Sequence, residues 1–485
     1  MDGCMGLLHR AGRNVAFKFV GETAARALML VYFLLMARLL GEREFGVYSY
    51  LASVCSMLVF IADPGLHTWL VRSVSQRRED PGVVLGRVLP VKVAASVLYV
   101  STLAVFFVAG TGSVAASAAV WVPAVVVALL TGWHEYLWSV CSAVERMDVE
   151  AQLKFLNKLA VLAAGLPVLV ARRSLALTLL AMGAASAVTL VFGFARTARL
   201  VPGIRVSWSS GSWRAVVSAA LPLALNAVFL GLFFRVDMVV LAWAGVDVAE
   251  IGRYGASMRM VDTAGIVPFL IMSGVFPILA GLHAGDPAKL AETYGRLFKV
   301  LLVMGLGMCA ATTVLADKLL HALFGVGYVS AAPTLAVLVW VVLFMYLDYL
   351  TLNMLIATER SADAAISTGV CVPVSLGLNL LLIPRYGITG AAAAAVATQA
   401  VLFVLTYRFV SRQVSGAPGV VFILKAVAAA GAMATMLVWM HDYSLFVLVP
   451  AGAAVYAFAG YAVRLFSPEE CDLLRRILVR RLDTA

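Results

Sequence analysis

The chain is a succession of apolar runs, most of them about 20 residues or longer, separated by short polar connections. A run of that length crosses a bilayer as a helix, because helical hydrogen bonding is what satisfies a backbone surrounded by lipid. The pattern yields about fourteen spans. They lie near 15–40, 45–71, 83–109, 115–142, 151–171, 174–195, 215–244, 250–281, 293–316, 331–357, 363–383, 387–410, 419–440 and 444–465. The expected fold class is therefore all-α, a polytopic membrane helix bundle. Composition agrees: 62% of the residues are hydrophobic and 13% charged, against about 45–50% and 25% in soluble domains. The length of 485 residues would otherwise suggest about three soluble domains, yet no connection is long enough to hold one. The first apolar stretch lacks the short core and small-residue cleavage site of a signal peptide and is expected to remain as a span.

The net charge of +11 fits basic cytoplasmic loops beside anionic lipid better than nucleic-acid binding. With the N-terminus inside, the inner connections hold Arg72, Arg77, Arg78, Arg87, Arg146, Lys154, Arg196, Arg199, Arg205, Lys289, Arg296, Lys299, Arg408 and Arg412. The outer ones hold Arg43, Arg172, Arg173, Lys318 and Arg385. This bias puts both termini in the cytoplasm and the protein in the cytoplasmic membrane. The pair Arg172-Arg173 runs against it and makes the fifth and sixth spans the weakest assignment. The six cysteines are scattered through apolar runs without a CxxC and read as small buried residues. From Ser467 the tail reads SPEECDLLRRILVRRL. Ser467 and Glu470 form a capping box, and an apolar stripe with Arg475, Arg476 and Arg480 off it predicts a basic amphipathic helix on the inner leaflet.

Charges inside the spans demand an explanation, since an Arg at mid-bilayer costs roughly 3 kcal/mol on insertion scales. The run GLFFRVDMVVLAW (231–243) holds both Arg235 and Asp237. Two positions turn a helix by about 200°, so these two do not pair with each other and need partners elsewhere. A repeat also stands out. EFGVYSYLASVCSMLVFIADP, from Glu44, and EIGRYGASMRMVDTAGIVPFL, from Glu250, both begin E-x-G-x-Y, open a span and carry a later proline, Pro64 and Pro268. Prolines within spans loosen backbone hydrogen bonding and mark the binding or moving parts of transporters. Two related halves with a site near the midplane are expected: residues 1–205, residues 206–413, and an added segment 414–485 with two spans and the tail. Chance similarity at an interfacial turn is the other reading.

ARLLGEREFGVYSYL (37–51) with DPGLHTWLVRSVSQ (63–76) resembles the opening of the polysaccharide flippases, the Wzx-type oligosaccharide flippases of the multidrug/oligosaccharidyl-lipid/polysaccharide exporter superfamily. FRVDMVVLAWAGVDVAEIGRYGASMRMVD (234–262) is similar to their seventh and eighth spans, and LNLLLIPRYGITGAAAAAVATQ (378–399) to their eleventh-to-twelfth junction. The resemblance implies two pseudo-symmetric lobes around a central cavity, alternating access, and an oligosaccharide on a polyprenyl diphosphate as substrate. It also implies that spans one, two, seven and eight line the cavity.

Arg binds a diphosphate bidentately and stays charged, so the candidate substrate ligands are Arg26, Arg72, Arg235 and Arg259. Each has an ordinary reading as well. Glu22 and Arg26, and Arg259 and Asp262, are spaced to neutralise each other on one helix face, and Arg72 suits a topology signal. Glu22, Asp63, Asp237, Asp262 and Asp348 are candidates for coupling transport to a proton or sodium gradient, with structural pairing as the alternative. Asp63 and His67, four apart around Pro64, also suit a relay or a plain helix-end contact.

No catalytic motif stands out. His134-Glu135 lacks the second His of a zinc-protease helix, GLGMCA (305–310) lies within an apolar helix, and there is no Walker A sequence. Trp133, Tyr136 and Trp138 read as an interfacial aromatic belt rather than a sugar platform. Neither cofactor nor metal is expected. Expected partners are the lipid-linked substrate, membrane lipids, and a polysaccharide polymerase with its assembly proteins. Competing functions are a drug exporter, a peptidoglycan-precursor flippase, a membrane glycosyltransferase or polymerase, and a structural assembly protein.

Overall fold

Every regular element among the described residues is a helix. The structure, a computed structural model, describes the backbone of residues 2–75, 80–109, 112–114, 116–202, 216, 228–229, 231–233, 235–414, 416 and 418–465. Side chains are described for that set from residue 27 onward, those of 75, 109 and 284 excepted. The side chains of Glu22 and Arg26, most of the first half of the seventh span and the amphipathic tail from Ser467 therefore lie outside the described residues.

The elements are α1 (Asp2–Met57), α2 (Val59–Ala62), α3 (Leu66–Ser75), α4 (Pro81–Ala109), α5 (Ala118–Ala143), α6 (Met147–Arg172), α7 (Leu175–Leu200), α8 (residues 235–243) and α9 (Val248–Ala264). They continue with α10 (Ile266–Gly285), α11 (Pro287–Val314), α12 (Ala316–Phe324), a 3₁₀ turn (Val326–Ala331), α13 (Ala332–Leu338), α14 (Trp340–Ala357), α15 (Ser361–Ser411), α16 (Val420–Trp439) and α17 (Leu445–Ala462). Among the described residues, 10 stretches are long and apolar enough to cross a membrane. The chain is a multi-pass membrane protein. The sequence stretches 15–40, 45–71 and 215–244 are not among those 10. The first and third include undescribed residues, and the second is broken into short helices. Arg172-Arg173 does not merge its neighbours: Arg173 turns left-handed (φ 46°), and α6 and α7 are separate apolar helices.

Two long helices are broken by glycine. Gly41 interrupts α1 with φ 78° and Gly387 interrupts α15 with φ 56°. Both values lie where a Cβ is strained, so glycine is the residue that permits these turns.

The chain divides into two compact units, Met1–Gly255 with Ser375–Ile388, and Ala256–Val374 with Thr389–Ala485. In the first, α3, α4 and α5 meet through Leu66, Leu70, Val88, Val91, Leu137 and Val140. Helices α5, α6 and α7 are joined by polar bonds: Asn157 Nδ2 donates to Thr189 Oγ1 (2.9 Å), and His134 Nε2 lies 3.0 Å from the Ser186 carbonyl. Such bonds contribute roughly 0.6 kcal/mol each within a bilayer. Large apolar side chains such as Val108, Val188 and Val191 stand exposed, as on helices that face lipid.

The repeat seen in the sequence has a matching geometry inside this unit. A Cβ on Gly46 would strike the Val248 carbonyl oxygen, and one on Gly252 would strike that of Glu42. Each carbonyl lies four residues before the opposing glycine, so the two E-x-G-x-Y openings cross in a symmetric close approach that only glycine allows. Arg253 Nε donates to Glu42 Oε2 (2.6 Å) across the same crossing. This reciprocity argues against chance similarity.

In the second unit, α11 packs against α14 and α16, and α16 against α17. Leu315, Met433, Leu437 and Leu448 form a buried cluster there. Asp286 caps α11 by accepting from Lys289 N (3.1 Å), with Pro287 in the first turn. Cys55, Cys141, Cys309 and Cys371 are free and buried. Tyr136 and Trp138 are buried too. This corrects the aromatic-belt reading for those two residues: they pack inward and do not face a lipid boundary.

Candidate functional site

The sequence reads the second span as one stretch; the structure breaks it twice, at Leu58 and at Asp63–Pro64–Gly65. A broken helix frees carbonyls that water would satisfy in a soluble protein but that need a protein partner in lipid. Helix α4 supplies those partners from one face, since Lys92 and Tyr99 are seven apart. Tyr99 donates from its hydroxyl to the Cys55 carbonyl (2.8 Å), and Lys92 Nζ donates to the Ala62 carbonyl (2.9 Å). In a continuous helix, Ala62 would accept from the N–H of Leu66.

The Lys92 ammonium also lies 3.7 Å from Asp63 Oδ2. The lysine is 0% exposed, so its charge is balanced inside the protein. His67 Nδ1 is 3.5 Å from the other carboxyl oxygen, Oδ1. Its imidazole, half-exposed, carries this group toward open space, and Thr68 Oγ1 stands 2.9 Å from His67 Nε2. The Asp63–His67 pairing thus exists, with Lys92 as a third member.

Two cavities flank this group. One, of about 490 Å³, is lined by His67, Glu135, Trp138, Ser142, Glu150 and Lys154 among others. The second, of about 280 Å³, is lined by Tyr48, Cys55, Tyr99, Thr131 and Glu135 among others. Glu135 borders both and is solvent-accessible although it sits within a span. In the larger cavity Lys154 Nζ pairs with Glu150 (2.9 Å) and lies 5.3 Å from the Trp138 ring centre. Ser142 donates to the same Glu150 carboxylate. The first unit thus has polar side chains lining two cavities among apolar helices.

The other expected residues are dispersed. Asp237 is buried and accepts from Tyr254 Oη (2.6 Å) and from Met238 N (2.7 Å). Its partner is the tyrosine of the second E-x-G-x-Y. Arg235 is half-buried at the start of α8, and Arg72 is exposed in the last turn of α3. Arg259 Nη1 lies 3.9 Å from Asp262 Oδ2, the neutralising pair that their spacing allows. In the second unit Asp348 is 2% exposed. Gln399 Nε2 donates to its Oδ2 (2.6 Å) and Thr406 Oγ1 to its Oδ1 (3.0 Å).

Sequence reasoning missed Lys92 and Glu135. The signal for Lys92 was present in VLPVKVAAS (88–96), a lysine as unwelcome in hydrocarbon as the arginines that drew attention. Its partners sit on another span, beyond the reach of helix-spacing arguments.

Known proteins place this architecture. The solved inward-closed structure of the lipid II flippase MurJ superposes with a TM-score of 0.74 at 12% identity, covering 92% of this chain and 98% of that one. An inward-facing multidrug resistance MATE transporter of the MOP superfamily gives 0.62 at 14% identity, covering 82% and 98%. The fold is thus shared with both. A probable flippase from Haloferax volcanii, AglR, is 26% identical over 266 residues. That match spans about half of each protein, 52% of this chain and 52% of the relative. Residues 11–283, more than half of the chain, match the family described as polysaccharide biosynthesis protein, and the chain belongs to that family.

Proposed function

We propose that the protein is a flippase that moves a polyprenyl-diphosphate-linked oligosaccharide across the cytoplasmic membrane for surface polysaccharide assembly. The observation that carries this reading is the polar interior of the first unit in a chain of this family. Asp63, His67, Lys92 and Glu135 stand beside cavities of about 490 and 280 Å³ inside an apolar helical body. A glycan head needs such a wet, protein-lined route, because hydrocarbon offers its hydroxyls no hydrogen bonds. Similarity to a probable flippase supports flipping as the activity, and the fold shared with a lipid II flippase suits a lipid-linked cargo. Arg26, Arg72, Arg235 and Arg259 are the proposed diphosphate ligands, with Arg235 first because, unlike Arg26 and Arg259, its spacing from the nearest carboxylate does not suit pairing along its own helix. Glu22, Asp63, Asp237, Asp262 and Asp348 are the proposed coupling carboxylates; Asp63 already has the Lys92 ammonium beside it and suits that role least, whereas Asp348, held by neutral donors alone among the described residues, suits a proton or sodium ion best. Cytoplasmic placement of both termini follows from the loop charges.

A second reading, export of cationic drugs, draws on Glu135 and Glu150 in the larger cavity and on the MATE-like fold. One experiment separates the two: surface-polysaccharide display in cells lacking the gene, complemented with wild type or Arg235→Ala at matched abundance. The flippase reading expects the deletion to abolish display and trap lipid-linked sugar inside, and Arg235→Ala to restore less than about a tenth of wild-type display, the loss of one charged hydrogen bond at ~1.5–3 kcal/mol. Intact display with heightened sensitivity to cationic drugs would replace it with the exporter reading.

A further inference from the structure

The Asp63 break is built like a monovalent-cation site with its cation covalently attached. The Lys92 ammonium contacts a carbonyl that ends the short helix α2 (Ala62, 2.9 Å) and approaches a carboxylate that follows it (Asp63, 3.7 Å). Hard oxygen ligands of this kind suit sodium. Unwound backbone carbonyls in membrane transporters are where such ions are held.

The related break in the eighth span shows that the interruption alone does not call for a charge. Pro268 has no N–H to give the Ala264 carbonyl, and Tyr346 Oη donates to that carbonyl instead (3.1 Å). A neutral hydroxyl is enough there. The ammonium that α4 brings to the break in the second span therefore answers to Asp63, whose buried carboxylate requires a positive partner. Serving that need with a lysine, 0% exposed, keeps the partner in place whatever the salt outside.

We infer that Lys92 is a tethered substitute for a bound monovalent cation, and that removing its ammonium uncovers a sodium site formed by Asp63 and the Ala62 carbonyl, with water completing the shell. The inference concerns the resting protein and does not depend on the cargo. It places a fixed ion in the first unit whether the chain moves glycolipids or drugs.

The test is thermal unfolding of the purified full-length protein in sodium chloride and in choline chloride at equal ionic strength. Three proteins are compared: wild type, Lys92→Met, and Lys92→Met with Asp63→Asn. Methionine keeps the stem's apolar packing. The expected result is that sodium raises the midpoint of Lys92→Met by about 2–4 °C more than it raises wild type, and that the excess disappears when Asp63→Asn is added. Equal sodium responses in wild type and Lys92→Met would overturn the inference. So would an excess that survives Asp63→Asn, which would locate the ion elsewhere. A Lys92→Met protein that fails to fold even in sodium also overturns it, since the ion then does not replace the ammonium.

Discussion

The breaks at Pro64 and Pro268 follow the two E-x-G-x-Y openings, 20 residues after Glu44 and 18 after Glu250, yet they are stabilised by different chemistry. At the first, α4 places a lysine ammonium on the freed Ala62 carbonyl and beside Asp63, and His67 and Glu135 continue the polar path to two cavities. At the second, the freed Ala264 carbonyl takes a tyrosine hydroxyl from α14. Proline explains why both spans break, and it explains nothing about what is put at the break. That choice sits on a different helix, and it makes one copy an ionic site and the other a capped kink. Breaks that follow like openings thus carry different chemistry.

The comparison predicts unequal damage from equally small substitutions. Asp63→Asn leaves the buried Lys92 ammonium without its carboxylate, and stranding one partner of a buried ion pair costs about 3–5 kcal/mol. The unfolding midpoint of the purified variant should fall well below wild type, and adding Lys92→Met should recover most of the loss. No recovery in the double variant would mean that Asp63 acts through its contacts to α3 rather than through the ammonium. Tyr346→Phe removes one neutral bond at the other break and leaves the Ala264 carbonyl unsatisfied, a cost of about 1–3 kcal/mol. Its midpoint should lie between wild type and Asp63→Asn. A larger drop than that of Asp63→Asn would reverse the ranking of the two breaks.

How much of this was legible in the sequence depends on whether the relevant partner lies on the same helix. Apolar run length located the helices, and even the doubtful turn at Arg172-Arg173 separates two of them. The E-x-G-x-Y pair signalled the repeat, and its recurring glycines touch: Gly46 crosses Gly252. Pro64 and Pro268 marked the breaks. Arg259 with Asp262 behaved as i,i+3 spacing predicts. What could not be read was every contact between distant spans. Lys92 and Asp63, Tyr99 and Cys55, and Glu42 and Arg253 are joined only by packing. Hydropathy also treated α5 as a uniform apolar span. It gave no sign that Glu135 lines two cavities while Trp138, one turn further on, is buried.

The smallest effect belongs to His67, and it sharpens the account of the first break. Its imbalance of exposure is large: the imidazole side chain is 55% accessible while the Asp63 side chain it faces is 9% accessible, and the two stand 3.5 Å apart. An ion pair open to water on one side is screened and contributes about 0–1 kcal/mol. The buried ammonium, not the imidazole, is therefore what holds the Asp63 carboxylate. His67→Gln should shift the unfolding midpoint by no more than a fifth of the shift caused by Asp63→Asn, measured side by side in low salt. It should also leave the sodium response of the Lys92→Met background in place, because none of the oxygens assigned to the cation belongs to residue 67. A loss as large as that of Asp63→Asn would make histidine the true partner of the carboxylate and reduce Lys92 to a backbone cap. The ionic break would then resemble its counterpart at Pro268 more closely than their side chains suggest.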